Sequence, residues 1–268
     1  MKQLRRLELN GGRIRGIRPS PENPLRLEIP PVTQGYTNAQ IDDYGLARGR
    51  RHYPWRPGIT LTVQARFSHA AGELLGTAGF GFWNAPFGDP TVRWPALPRA
   101  VWFFYGSPPN DLPLAAAGAG QGWYAATLDA GTGPALAVAP LAPFVALLNR
   151  YGRFRQRFWP RLQNRLGITF APVEVDMTAW HEYRLDWRRD GCAFWVDGRL
   201  LRRAPHTPRG PLGFVCWIDN QYMIVTARGR VRWGTLSVAA PQWLEIAKCA
   251  IRQIGGQETS SPNYPPTG

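Results

Sequence analysis

In Ile59-Thr60-Leu61-Thr62-Val63-Gln64-Ala65-Arg66, apolar and polar residues alternate over eight positions. A period of 2 puts one set on a buried face and the other in water, so this segment reads as a half-buried strand. Thr77 to Trp83 mixes glycine with aromatics, which predicts a strand approached closely by another backbone or by a ligand. Ala100 to Tyr105 is apolar on both faces and predicts a central strand. Alternation returns at Tyr183-Arg184-Leu185-Asp186-Trp187. A turn at Arg189-Asp190-Gly191, a strand over Ala193 to Val196, a turn at Asp197-Gly198 and a strand over Arg199 to Arg203 complete a meander. Leu212 to Asp219, Tyr222 to Thr226 and Arg230 to Val238 predict further strands.

Two stretches show helical spacing. Between 135 and 167, Phe144, Leu147, Leu148 and Tyr151 are followed by Phe154, Phe158, Leu162 and Leu166, interleaved with arginines. This predicts a helical insertion, with Pro160 as a break or kink. Pro143 and Pro160 favour a bent segment whose stripe docks on the sheets. From 241 to 254, Trp243, Leu244, Ala247, Ala250, Ile251 and Ile254 form one stripe behind Pro241, which predicts a C-terminal helix. Residues 1–35, broken by Gly11-Gly12 and several prolines, read as an irregular leader with edge-strand fragments. The Ser/Pro/Thr-rich tail over 255–268 reads as disordered.

Composition narrows the class. The chain has 268 residues with 29 Gly and 26 Pro, too many for a helical bundle. The net charge of +14 comes from 30 Arg and only 2 Lys. No nucleic-acid-binding motif accompanies that charge, so nucleic acid is not the expected partner. No run of about 18 apolar residues exists, so no spanning helix is expected. The start is charged and lacks the apolar stretch of a secretory signal. Cys192, Cys216 and Cys249 form no CxxC pair and read as free buried thiols, which suits a reducing cytoplasm. His52, His69, His181 and His206 show no metal-ligand spacing, and neither a metal nor a cofactor is expected. Gly118 to Gly122 lacks the Lys-Ser/Thr of a phosphate loop, and no Gly-x-Ser-x-Gly elbow is present.

The segment Trp180-His181-Glu182-Tyr183-Arg184-Leu185-Asp186-Trp187 through Phe194-Trp195-Val196-Asp197-Gly198 resembles the "W-H-x-Y-x-x-x-W … F-x-V-D-G" meander of the concanavalin A-like lectin/glucanase superfamily, best known in family-16 glycoside hydrolases. Ile59 to Phe67, Gly79 to Asn84, Leu212 to Asn220 and Arg230 to Val238 follow in the order that family requires. The resemblance spans about residues 36–240. It implies an all-β jelly-roll sandwich of two curved antiparallel sheets, carrying the helical insertion and the C-terminal helix, with a glycan on its concave face. The family's Glu-x-Asp-x-Glu strand is expected at Arg99 to Tyr105, which contains no carboxylate. Glycan binding without the standard glycosidase reaction is therefore the expected function. A hydrolase with relocated carboxylates is one alternative; a membrane-peripheral or scaffold protein using the basic insertion is another.

The resemblance also nominates site residues. Trp83, Trp102 and Trp217 would stack on sugar rings, unless they fill the sandwich core. Asp219 and Asn220 would hydrogen-bond sugar hydroxyls, unless they form an Asx turn. Asp42 and Asp43 face opposite ways on a strand and read as partners for an arginine in Arg48 to Arg51 rather than as a dyad. Six arginines from Arg150 to Arg165, with no acidic residue between Leu136 and Ala171, leave Arg153, Arg157 and Arg161 available to an anionic surface.

Overall fold

The computed structural model describes residues 4–44, 46–47, 50–86, 97–112, 120–131, 147–148, 151–165, 167–226 and 230–255. In chain order the elements are β1 (Arg5–Leu9), β2 (Arg13–Arg15), β3 (Leu25–Ile29), β4 (Asn38–Asp42), β5 (Leu46–Ala47), β6 (Arg50–Arg51), β7 (Ile59–Phe67), β8 (Thr77–Trp83), β9 (Arg99–Gly106) and β10 (Gly122–Asp129). Then come α1 (Gly152–Arg165), β11 (Thr169–Pro172), β12 (His181–Trp187), β13 (Cys192–Val196), β14 (Arg199–Ala204), β15 (Gly213–Asp219), β16 (Gln221–Val225), β17 (Val231–Thr235) and β18 (Gln242–Gln253).

The fold is a jelly-roll sandwich. A front sheet runs β1-β4-β15-β8-β9-β10-β11 and a back sheet runs β14-β13-β12-β7-β18-β3-β2, all pairs antiparallel. The alternation read in 59–66 is the burial pattern of β7, whose Ile59, Leu61, Val63, Ala65 and Phe67 face the core. From the front sheet, Phe80, Phe82, Phe103, Tyr105, Trp123 and Phe214 meet them, with Phe80 5.6 Å from Trp123 between ring centroids. The predicted meander is β12-β13-β14. Its motif residues hold the fold: His181 Nδ1 lies 2.6 Å from Asp197 Oδ2, Glu182 N donates to Asp197 Oδ1, and Trp187 Nε1 donates to the Pro208 carbonyl.

The C-terminal helix expected over 241–254 is not formed. Residues 242–253 are the long strand β18, hydrogen-bonded to β3 on one side and β7 on the other. The cause is a bulge. Leu244 and Ile246 face the core, the register then slips between Ile246 and Lys248, and Cys249 and Ile251 face the core beyond it. One inserted residue turns a period of 2 into spacings of 2, 3 and 2, which mimic a helical stripe. The segment expected as an irregular leader supplies β1 at the edge of the front sheet and β2-β3 at the edge of the back sheet. Leu27 and Ile29 lie fully in the core. Helix α1 lies within the predicted insertion; residues 132–146 and 149–150, and the tail over 256–268, are outside the described residues. Cys192, Cys216 and Cys249 are all unpaired. No described helix is long and apolar enough to cross a membrane.

Candidate functional site

The front sheet has a second apolar face, turned away from the sandwich core. Strand period 2 places Asn38, Gln40 and Asp42 of β4 there, because Ala39 and Ile41 take the core side. Register then builds rows across the sheet. Asp42, Val215, Gly81, Trp102, Ala126 and Phe170 lie side by side. The next row is Gln40, Trp217, Gly79, Phe104 and Tyr124. The third is Asn38, Asp219, Thr77 and Gly106.

Glycine in the middle of two rows lets the flanking indoles close over β8. A Cβ on Gly79 would stand 2.3 Å from the Phe103 carbonyl oxygen and 3.0 Å from the Trp217 ring. A Cβ on Gly81 would stand 2.5 Å from Trp102 Cα. Trp102 and Trp217 consequently meet at 5.5 Å between centroids, and Trp83 stacks on Trp217 at 6.4 Å with planes 9° apart. Phe104 touches Trp102, Trp217 and Tyr124; Tyr44 touches Trp83 and Tyr53. The glycine-aromatic pattern of 77–83 is thus explained by close approach from both neighbouring strands.

The three predicted tryptophans come together, outside the sandwich core. They are not equivalent. Trp217 is only 8% exposed and its Nε1 donates to Thr77 Oγ1 at 2.9 Å, so it forms the floor. Trp83 and Trp102 are half-buried. Trp83 Nε1 donates to Tyr44 Oη at 2.8 Å. Among the described residues Trp102 Nε1 has no hydrogen-bond partner, and the same is true of Tyr124 Oη and Asn38 Oδ1, all buried atoms of residues on this face.

Asp219 is on this face and fully engaged: Oδ1 accepts from Thr77 Oγ1, Thr77 N and Gln221 N, and Oδ2 from Tyr36 Oη. Burial pushes its carboxyl up to about 6 against those donors. Asn220 departs from its predicted role. Its Nδ2 donates to the Gly35 and Leu236 carbonyls and its Oδ1 accepts from Thr37 N. Every polar atom of that side chain clasps backbone, so none is left for a sugar. Asp42 is fully buried and does pair with an arginine, but with Arg5 on β1 through a forked contact of 2.9–3.2 Å, and it also accepts from Gln40. Asp43 accepts from Phe214 N and from Trp55 Nε1, and burial raises its carboxyl to about 6. Residues 48–49 are outside the described residues.

Asp42 and Asp219 are the only carboxylates on this face among the described strand residues. They lie four residues apart along the β4-β15 pair, which is about 13 Å. A glycosidase pair needs about 5–5.5 Å for retention or about 6.5–9.5 Å for inversion. No group of three or more His, Cys, Asp or Glu suited to a metal occurs among the described residues.

Sequence reading missed Tyr36, Tyr44, Phe104, Tyr124 and the Arg5-Asp42-Gln40 set. Tyr44 and Tyr36 belong to loops whose return to the sheet has no local signature. The polar alternation Asn38, Gln40, Asp42 was a readable signal.

No family model matches the chain, and no curated protein does. Solved structures similar to it include a Bacillus licheniformis β-glucanase, at 11% identity and TM-score 0.44, covering 89% of this chain and 80% of that one. Another is an immunostimulatory antigen and pseudo β-1,3-glucanase of Mycobacterium tuberculosis, at 11% identity and TM-score 0.45, covering 87% and 78%. A third is an endo-β-1,4-glucuronan lyase from the fungus Trichoderma reesei, at 11% identity and TM-score 0.45, covering 94% and 95%.

Proposed function

We propose that the outer face of the front sheet binds a glycan, with Trp83 and Trp102 as stacking platforms on a floor of Trp217 and Phe104. The observation that carries this reading is the set of unpartnered buried polar atoms, Trp102 Nε1, Tyr124 Oη and Asn38 Oδ1, on one aromatic face. A buried polar group without a partner costs about 1–3 kcal/mol, and three sharing one face point to a ligand that is apolar on its ring face and polar at its edge. A pyranose has that form. The sequence resemblance of the meander points the same way. Of the predicted contacts, Trp83, Trp102 and Trp217 stay in the proposal, Asp219 holds the rim through Thr77 and Tyr36, and Asn220 leaves it.

The spacing of Asp42 and Asp219 speaks against a hydrolase with relocated carboxylates. Incubation with laminarin or lichenan is expected to release no reducing ends; release that is lost in Asp42→Asn or Asp219→Asn would restore that alternative. The binding test is a glycan array followed by titration calorimetry. Trp102→Phe keeps one aromatic ring and deletes the pyrrole ring with its N–H, so it is expected to weaken binding several-fold while lowering the melting temperature by only a few degrees. Wild-type protein that binds no glycan, or a Trp102→Phe variant with wild-type affinity, would overturn the assignment.

A further inference from the structure

Helix α1 exposes Phe158 to water, while Phe154, one turn earlier on the same side, is half-buried. Phe154 and Phe158 are four residues apart in the helix, the positions that share one side, and Tyr151 stands just before its first residue. Tyr151 is 68% exposed and Phe158 48%; Leu147, four residues before Tyr151, is 51% exposed. Phe154 stacks on Phe158 with centroids 4.9 Å apart. Among the helix side chains whose burial is described, the buried one is Gln163, 4% exposed. It lies five residues beyond Phe158, about 140° round the helix. Its carbonyl accepts from Ile168 N at 3.0 Å, which ties the helix to the lead-in of β11. The docked stripe expected from the sequence is therefore not what this structure holds at Phe158.

Arginine flanks the exposed stripe. Arg153, Arg157 and Arg161 are exposed, and none forms an ion pair with a described residue; Arg161 Nη1 donates to the Arg157 carbonyl at 3.4 Å. The sequence offers no neutralising acid from Leu136 to Ala171. A nucleic-acid duplex would use the charge but leave the aromatic rings in water; an unpaired strand would stack bases on them, and it is the outcome that the RNA arm of the test below detects. An anionic lipid surface uses both, taking the apolar side into the headgroup boundary while the arginines lie along the phosphates.

We propose that α1 is a membrane-docking face for anionic lipid, with Tyr151 and Phe158 entering the interface and Arg153, Arg157 and Arg161 holding the headgroups. This site is separate from the aromatic face of the front sheet and does not depend on it.

The test is co-sedimentation of the full chain with phosphatidylcholine vesicles, with and without phosphatidylglycerol. Binding is expected only to the phosphatidylglycerol vesicles and is expected to fall as salt is raised. The triple variant Arg153→Gln, Arg157→Gln, Arg161→Gln is expected to lose affinity on the order of a hundredfold, at roughly fivefold per arginine. Phe158→Ser, with every charge kept, is expected to lose about tenfold. Both variants change exposed side chains, and circular dichroism checks that the β fold persists; if the triple variant fails to fold, Arg157→Gln alone replaces it, with a several-fold loss expected. Absence of binding at low salt, equal binding to both vesicles, or full affinity in Phe158→Ser would overturn the proposal. So would soluble RNA retained with the same salt sensitivity while phosphatidylglycerol vesicles are not bound.

Discussion

Tyr124 shows at the residue scale how a buried polar atom ties stability to function. Its hydroxyl has no partner among the described residues and burial pushes its titration far up, so it stays neutral. Tyr124→Phe removes an unpaired group without changing shape, and it is expected to leave the unfolding free energy unchanged or raise it by about 1 kcal/mol. Urea unfolding measures this; a loss of more than that would mean that the hydroxyl has a structural partner. Gly81 is the opposite case. Gly81→Ala drives a methyl group to 2.5 Å from Trp102 Cα, against backbone that has no room to yield. A loss of about 1–3 kcal/mol is expected, together with displacement of Trp102 visible as a shift in tryptophan emission.

At the scale of elements, β18 is the decisive strand, because it joins β7 to β3 in the middle of the back sheet. Ile246 distinguishes strand from helix here. It falls off the helical stripe that the sequence suggested, yet it is wholly buried. Ile246→Ala is therefore expected to cost about 2–5 kcal/mol by equilibrium unfolding. Lys248→Ala, at an exposed position whose Nζ pairs with the half-exposed Glu182, is expected to change stability by less than about 1 kcal/mol. Comparable effects from the two substitutions would count against the bulge and its register.

At the scale of the whole molecule, the buried carboxylates Asp43 and Asp219 set an unusual pH response. Each is raised to about 6 from an ordinary value of 3.8, principally by burial. Between those values the folded state holds more protons than the unfolded state, so stability falls as pH rises through about 4–6 and is level above. Asp176, Asp186 and Asp197 are shifted down, and their contribution is lost only as pH falls below about 4. Thermal melts are expected to peak on the acid side of neutrality, near pH 4–5. Asp219→Asn is expected to flatten the slope between pH 4 and 6; a slope unaltered in that variant would mean Asp219 titrates normally.

Strands whose two faces differ in solvation were legible in the chain. β7 alternates because one face is core and the other water, and the β12-β13-β14 meander carries its own turns in Arg189-Asp190-Gly191 and Asp197-Gly198. Local pattern thus determined the strand β7, the meander and the closeness of approach at Gly79 and Gly81, while the sandwich was implied by the family resemblance of the meander. What local pattern cannot encode is which distant strands become neighbours. The bulge in β18 disguised a strand as a helix, and Asp42 found Arg5 across β1-β4 instead of a nearby arginine. Only the register of β4, β15, β8, β9 and β10 gathers Trp83, Trp102, Trp217, Phe104 and Tyr124 onto one face and spends Asn220 on backbone. Those contacts join residues up to 185 positions apart, and pairing across such separations is decided by packing of the whole sheet, not by the order of neighbours along the chain.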